Sequence, residues 1–186
     1  MNPAFEQWQA LLANDTMLID SAERVLNGSD YARQWGERNP DRASALFASG
    51  DVQGAYILSG YESRLETQLH DVVDEAGLQQ QLRYFRQREM VRIIWRDLSG
   101  WADLAETVRE LSALADACIQ QALAKLYGWH CESLGTPFDD SGEPQNLVVL
   151  GMGKLGAGEL NLSSDIDLIF THASPGNTQG GPRSVS

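Results

Sequence analysis

A chain of 186 residues, 42% of them hydrophobic, has enough material for one domain of ordinary size with a proper core. Its formal net charge of −12 argues against bulk binding to nucleic acid or to an anionic membrane surface, because phosphates would be repelled everywhere outside local basic patches. The opening MNPAFEQWQALLAND lacks the basic start of a secretion signal, no apolar run approaches the ~18 residues of a membrane span, and Cys118 and Cys131 show no ligand or pairing pattern, so two reduced thiols in a cytoplasmic protein are expected.

From Pro3 to Ser49 the pattern predicts short helices separated at Asn14-Asp15, Asn27-Gly28-Ser29 and Asn39-Pro40, with Asp15, Ser29 and Asn39 as candidate caps. Phe5, Trp8, Leu11 and Leu12, and then Leu18, Ala22, Val25 and Leu26, recur at helical spacing and read as core stripes rather than ligand contacts. Leu46 to Tyr61, with Gly50, Gly54 and Gly60, predicts a loop between helices, and Glu62 to Val73 resumes the helical pattern. Leu78, Leu82, Phe85, Ile93 or Ile94 and Leu98 make one long amphipathic helix whose other face carries Arg83, Arg86, Arg88, Arg92 and Arg96. Two readings of that basic face stand side by side: a solvated surface paired with Asp71, Asp74, Glu75 and Glu89, or a set of arginines turned partly towards a phosphate. Leu104 to Trp129 predicts a second long helix, ending near Gly135-Thr136-Pro137 and packing antiparallel to the first.

The acidic, turn-forming stretch Asp139 to Pro144 then leads into Asn146 to Phe170, NLVVLGMGKLGAGELNLSSDIDLIF, where the chemistry concentrates. Leu147 to Leu150 and Ile166 to Phe170 each read as a strand with a buried face, Ile166, Leu168 and Phe170 pointing to the core. Between them the glycines permit close backbone approach to a ligand, and Gly151, Gly153, Lys154 and Ser164 are the candidate phosphate-binding residues. Asp165 and Asp167, two apart on a strand, would project to one side roughly 7 Å apart. Two such carboxylates repel unless a cation joins them, and hard oxygen ligands beside a phosphate cradle favour Mg2+ or Mn2+, with Asp165 and Asp167 as ligands and catalytic residues of a phosphoryl or nucleotidyl transfer. A capping or edge-strand role for either aspartate alone is the plainer alternative. His70, His130 and His172 are scattered and carry no catalytic pattern.

Gly151, Gly153 and Gly156 also match G-x-G-x-x-G, so a Rossmann-type dinucleotide-binding domain is a rival. A parallel crossover needs a dozen or more residues with a full helix, and only Ala157 to Ser164 separates the last of these glycines from the carboxylates. The two strands are therefore expected to be antiparallel neighbours. A P-loop is excluded because Lys154 is followed by Leu155.

GMGKLGAGELNLSSDIDLIF resembles the signature of the glutamine synthetase adenylyltransferase/adenylyl-removing enzymes, and Glu159-Leu160-Asn161 with Ser163-Ser164-Asp165-Ile166-Asp167 resembles the amino-terminal, adenylyl-removing half most. Asp74 to Leu98 is similar to the helix that precedes the catalytic core there. The resemblance implies an α+β, mostly α fold: a helical scaffold over residues 1–138, a linker over 139–145, and over 146–186 the start of a nucleotidyltransferase core of the DNA polymerase β superfamily. It implies removal of AMP from an adenylylated tyrosine of glutamine synthetase by inorganic phosphate, releasing ADP, with glutamine synthetase and a PII-type signal protein as partners and no nucleic acid or membrane. A noncatalytic nucleotide-binding or protein-interaction module is the alternative. The superfamily uses a third carboxylate on a later strand, and no Asp or Glu follows Asp167, although Glu143 or Glu159 could substitute. The chain is therefore expected to be a truncated, inactive piece of a longer enzyme, poorly ordered from Ser174 onward.

Overall fold

The computed structural model describes residues 8, 11, 12 and 15–183. Phe5, expected on the first helical stripe, lies outside them, as do Ser184, Val185 and Ser186 at the end of the tail. The chain is α+β and mostly helical. Three short helices, α1 (Thr16–Gly28), α2 (Asp30–Arg38) and α3 (Pro40–Ala48), are followed by an irregular stretch and α4 (Gly60–Gln68), then by two long helices, α5 (Glu75–Ser99) and α6 (Leu104–Leu134). The remainder is β1 (Thr136–Asp139), β2 (Val148–Gly151), the single turn α7 (Gly153–Gly156), β3 (Leu168–Thr171) and β4 (Gly176–Gln179).

The helix starts follow from side-chain oxygens that satisfy otherwise orphaned N–H groups. Asp15 accepts from the Leu18 amide (3.1 Å) and Ser29 from that of Ala32 (3.2 Å), as their positions before apolar stripes predict. Asn39 precedes α3 but makes no such bond: its amide nitrogen donates back to the Trp35 carbonyl (2.9 Å), and Pro40, which has no N–H to satisfy, opens the helix instead. Asp74 and Asp103 cap α5 and α6 through the Gly77 and Glu106 amides, each at 2.7 Å.

Helix α5 lies between two cores. Val91, Ile94 and Trp95 pack against α1 to α3, where Phe47 and Trp95 meet edge to face at 4.8 Å and Ser21 receives the Trp95 indole N–H at 2.9 Å. Phe85, Met90 and Ile93 pack with Leu65 of α4 and with Leu111 and Leu114 of α6. Every residue from Glu89 to Arg96 is buried as a result.

Neither reading of the basic face describes Arg88, Arg92 and Arg96. Arg92 is fully enclosed and donates to Glu89 (3.0 Å), Glu110 of α6 (2.6 Å), the Tyr61 hydroxyl (2.6 Å) and the Gly54 carbonyl (3.0 Å), while its guanidinium lies 3.7 Å from the centre of the Tyr56 ring. Arg88 pairs with Glu89 and Asp51, and Arg96 with Glu106 and the Gln53 carbonyl. These arginines therefore face neither solvent nor a phosphate; they cross-link α5 to α6 and to the 49–59 stretch. Asp71, Asp74 and Glu75, expected as surface partners, take no part. The register of the helix pair follows from the same contacts: Arg96 meets Glu106, and Arg92, four residues earlier, meets Glu110, four residues later, so position falls on one helix as it rises on the other. The long helices are antiparallel, as predicted.

β2 and β3 pair antiparallel in the register Val148 with Thr171, Val149 with Phe170, Leu150 with Ile169 and Gly151 with Leu168. Only α7, a single turn, lies between them, so the crossover that a dinucleotide-binding domain requires is absent. β2 keeps its expected length, shifted by one residue, whereas β3 starts two residues late and is less covered: Ile166, 42% exposed, lies outside β3, and Phe170 is 61% exposed, so of the three apolar residues assigned to the core only Leu168 is half-buried. Val149, Leu168 and Phe170 instead line an apolar groove of about 730 Å3 between the ribbon and the second half of α6.

Residues 174–183, expected to be poorly ordered, include a paired strand. β4 pairs antiparallel with β1, and Gln145 clamps the approach by exchanging two bonds with Ser174, each 2.9 Å. Glycine is what permits the pairing: a Cβ on Gly176 would fall 1.9 Å from the Phe138 carbonyl oxygen, so this glycine, inside the stretch expected to be poorly ordered, is a site of close backbone approach. The expected boundary after residue 138 falls within β1.

Removing one partner of a buried pair leaves an uncompensated charge, so Glu110→Ala is expected to lower unfolding free energy by about 3–5 kcal/mol. Asp30→Ala, at a solvent-exposed pair with Arg33, should leave the urea midpoint of the same chain nearly unchanged.

Candidate functional site

The glycine-rich turn is held from below by two leucines. Leu155 and Leu160 are buried in the second core, beneath Leu111 and Leu114 of α6. Between them the backbone bonds of Gly158 to Leu155 (3.0 Å) and Glu159 to Lys154 (2.8 Å) close the turn. The buried Leu160 amide then donates to the Ser112 hydroxyl of α6 at 3.1 Å, and that hydroxyl donates to the Val108 carbonyl at 2.8 Å. Ser112 is therefore a strut between the long helix and the motif. Nothing in the sequence marks it, because a serine inside a helical stripe has no distinguishing pattern.

Of the glycines, Gly151 ends β2 opposite Leu168 and Gly153 takes a left-handed conformation (φ 55°) as it opens α7. Gly156 is required by contact: a Cβ there would sit 2.4 Å from the Gly151 carbonyl oxygen, closer than real side chains come. The turn is thus folded tightly on itself.

The structure brings Lys154 and Ser164 together from opposite ends of the loop, with the ammonium 3.4 Å from the hydroxyl. Asn161 completes the group: its side-chain oxygen accepts from the Ser164 hydroxyl at 2.5 Å, and its backbone carbonyl accepts the Ser164 N–H at 3.1 Å. Sequence reasoning took Asn161 only as part of the Glu159-Leu160-Asn161 resemblance. Its place three residues before Ser164, where an amide oxygen can bridge back to a hydroxyl, is the signal that was available.

Asp165 and Asp167 lie in the extended segment that runs into β3, which begins one residue after Asp167. The ladder nonetheless reaches Asp167, whose carbonyl accepts the Met152 amide at 2.9 Å, so this residue faces the turn across the ribbon. Both aspartates are exposed, and neither carboxylate accepts a hydrogen bond or forms an ion pair among the described residues. Hard oxygen donors left without any protein partner suit a divalent cation such as Mg2+. Among the described residues no cluster of three or more His, Cys, Asp or Glu side chains forms, so these two would be the chain's contribution and ligand oxygens or water the rest.

Asp165 also lines a cavity of about 330 Å3 between the motif and the long helices, together with Asn161, Ser164, Arg86 and Cys118. Burial pushes the Cys118 thiol up to about 11, which keeps it protonated and unreactive near neutrality. Glu143 and Glu159 stand apart from the carboxylates: the Glu143 amide donates to Asp139 in the turn after β1, and Glu159 closes the glycine turn through its backbone.

A family model described as glutamate-ammonia ligase adenylyltransferase matches residues 19–186. A bifunctional glutamine synthetase adenylyltransferase/adenylyl-removing enzyme of Nitrosococcus oceani is 53% identical over 163 residues, which is 87% of this chain and 17% of the relative. Its counterpart in Pseudomonas aeruginosa is 48% identical over 168 residues, 90% of this chain and 17% of the relative. That of Thioalkalivibrio sulfidiphilus is 42% identical over 179 residues, 94% and 18% respectively. The chain thus spans 17–18% of the length of these relatives. No described helix is long and apolar enough to cross a membrane.

Loss of the Ser112 hydroxyl would strand the buried Leu160 N–H. Ser112→Ala is therefore expected to cost about 1–3 kcal/mol and to speed amide exchange at Leu160 and Ser164 before it affects α5, as read by hydrogen-exchange mass spectrometry.

Proposed function

Since the chain belongs to the glutamate-ammonia ligase adenylyltransferase family, we propose that residues 146–171 form part of a nucleotidyl-transfer site in the adenylyl-removing half of a bifunctional enzyme that regulates glutamine synthetase. The observation that carries this is the pair of exposed, unpartnered carboxylates, Asp165 and Asp167, beside a glycine turn that places Lys154 on Ser164. The core around them would be the start of a nucleotidyltransferase fold; the antiparallel ribbon with its tight glycine turn supports that assignment.

In the proposed reaction an oxygen of inorganic phosphate bonds to the adenylyl phosphorus of a modified tyrosine as the phosphorus–oxygen bond to the tyrosine breaks. The tyrosine oxygen takes up a proton and ADP leaves. Asp165 and Asp167 would hold Mg2+ or Mn2+, which when bound supplies positive charge to the phosphate oxygens. The chain's own part is placement. Lys154 contributes a cation held at the Ser164 hydroxyl, and Gly153, where a Cβ would meet nothing within 4 Å, leaves open space where α7 begins. The segment is exposed, as a site must be that admits a tyrosine on the surface of another protein. Glutamine synthetase would be the protein substrate and a PII-type signal protein the regulator, in the cytoplasm.

Titration with Mn2+ and ADP, followed by electron paramagnetic resonance of the bound ion, tests the site. Binding is expected in the unaltered chain, and Asp165→Asn or Asp167→Asn should each weaken it by about tenfold or more. In a full-length relative, which should release ADP from adenylylated glutamine synthetase and phosphate, the same substitutions should abolish that release. Manganese binding and ADP release indifferent to both substitutions would refute the assignment.

A further inference from the structure

Five arginines lie on α5 between residues 83 and 96, and three of them are consumed by internal pairs. Arg86 is not. It is exposed, forms no hydrogen bond or ion pair among the described residues, and lines the 330 Å3 cavity that Asn161, Ser164 and Asp165 line from the motif side. Met90, one turn along the same helix, and Leu111, Leu114 and Cys118 of α6 make the remaining wall largely apolar.

From this juxtaposition we propose that Arg86 is a phosphate-binding residue of the motif site, recruited from the scaffold helix; the inference rests on the nucleotidyl-transfer reading above. A cation beside an aspartate normally pairs with it, yet Arg86 and Asp165 form no ion pair, so the fork of N–H donors remains available to an anion. In a chain of net charge −12, an anionic ligand needs such a local reversal of field. Lys154 provides one at the turn, and Arg86 provides the second in the cavity that Ser164 also lines. Its helix is fixed one turn further on by the buried Glu89 and Arg92 pair, which gives a flexible side chain a rigid base. The ligand chemistry is a phosphate group, whether of a nucleotide or of free orthophosphate.

Calorimetric titration of the chain with ADP, inorganic phosphate and adenosine separates these. Arg86→Gln is expected to weaken ADP by about tenfold, as loss of a charge-assisted bond implies, and to leave adenosine and the melting midpoint unchanged. Arg86→Lys should recover part of the loss. Arg83→Gln, an exposed change on the same helix away from the cavity, should have no effect. Weakening of both ADP and orthophosphate identifies a subsite indifferent to the nucleoside; weakening of ADP alone assigns the contact to a nucleotide phosphate. Unchanged ADP affinity in Arg86→Gln, with loss in Asp165→Asn, overturns the role of Arg86 and leaves the site standing. A fall in melting midpoint with equal loss of adenosine shows a structural residue and also overturns it. An unaltered chain that binds no ADP overturns the reading of the site and this inference together.

Discussion

Everything downstream depends on a guanidinium that has no access to water. Arg92 is fully enclosed, and the cost of stripping its hydration is met only because Glu89, Glu110, the Tyr61 hydroxyl, the Gly54 carbonyl and the Tyr56 ring surround it. Burial disfavours its charge, and the neighbouring Tyr61 and Glu110 oxygens outweigh that and hold it protonated. Such an arrangement tolerates little freedom. Four separate parts of the chain, α4, α5, α6 and the 49–59 stretch, must arrive together, or an ion is left unpaired in the interior. The same demand fixes the antiparallel register of α5 against α6, since Glu110 can meet Arg92 in only one alignment.

That register positions the motif. Ser112 lies two residues beyond Glu110, and its hydroxyl is the partner of the buried Leu160 N–H. Leu155 and Leu160 settle against Leu111 and Leu114, so the two ends of the glycine turn are tied to one short stretch of α6. A slip of the helix pair would move Ser112 by 1.5 Å or more per residue and break the strut. The carboxylates are thereby placed by a packed helical pair, although they lie on a thin and largely exposed ribbon.

Much of this was legible in the sequence, and the failures have common causes. Asp15 and Ser29 announced their helices because a short oxygen-bearing side chain before an apolar stripe has one good use. The antiparallel ribbon was legible because only eight residues, Ala157 to Ser164, follow the last glycine of the motif, too few for the full helix that a parallel crossover carries. The arginines of α5 were misread because periodicity describes one helix at a time: Arg92 and Arg96 look like a polar face until the acids at Glu106 and Glu110, on the next helix, are folded onto them. The stretch around Gly176 was expected to be poorly ordered for a related reason. Composition treats glycine as loosening a chain, whereas here it admits a neighbouring backbone that any Cβ would exclude. For the site, the sequence gathered Gly151, Gly153, Lys154, Ser164, Asp165 and Asp167 into one segment. What it lacked was the support, Asn161 and Ser112, whose roles exist only once the loop is closed.

The distribution of cations carries the argument one step further. With acids in excess, the chain spends Arg88, Arg92 and Arg96 internally, where desolvated carboxylates bind them permanently. An anionic ligand therefore meets a repulsive surface except where a cation is both exposed and unclaimed. Lys154, bound only to a neutral hydroxyl, and Arg86, bound to nothing among the described residues, satisfy that condition, one at the Ser164 hydroxyl and one in the cavity that Ser164 also lines. Two uncommitted cations and two uncommitted carboxylates around one serine form an ion-binding arrangement that the buried network neither needs nor neutralises. The separation is physical: charges that build the scaffold are buried and paired, and charges left for a ligand are exposed and unpaired.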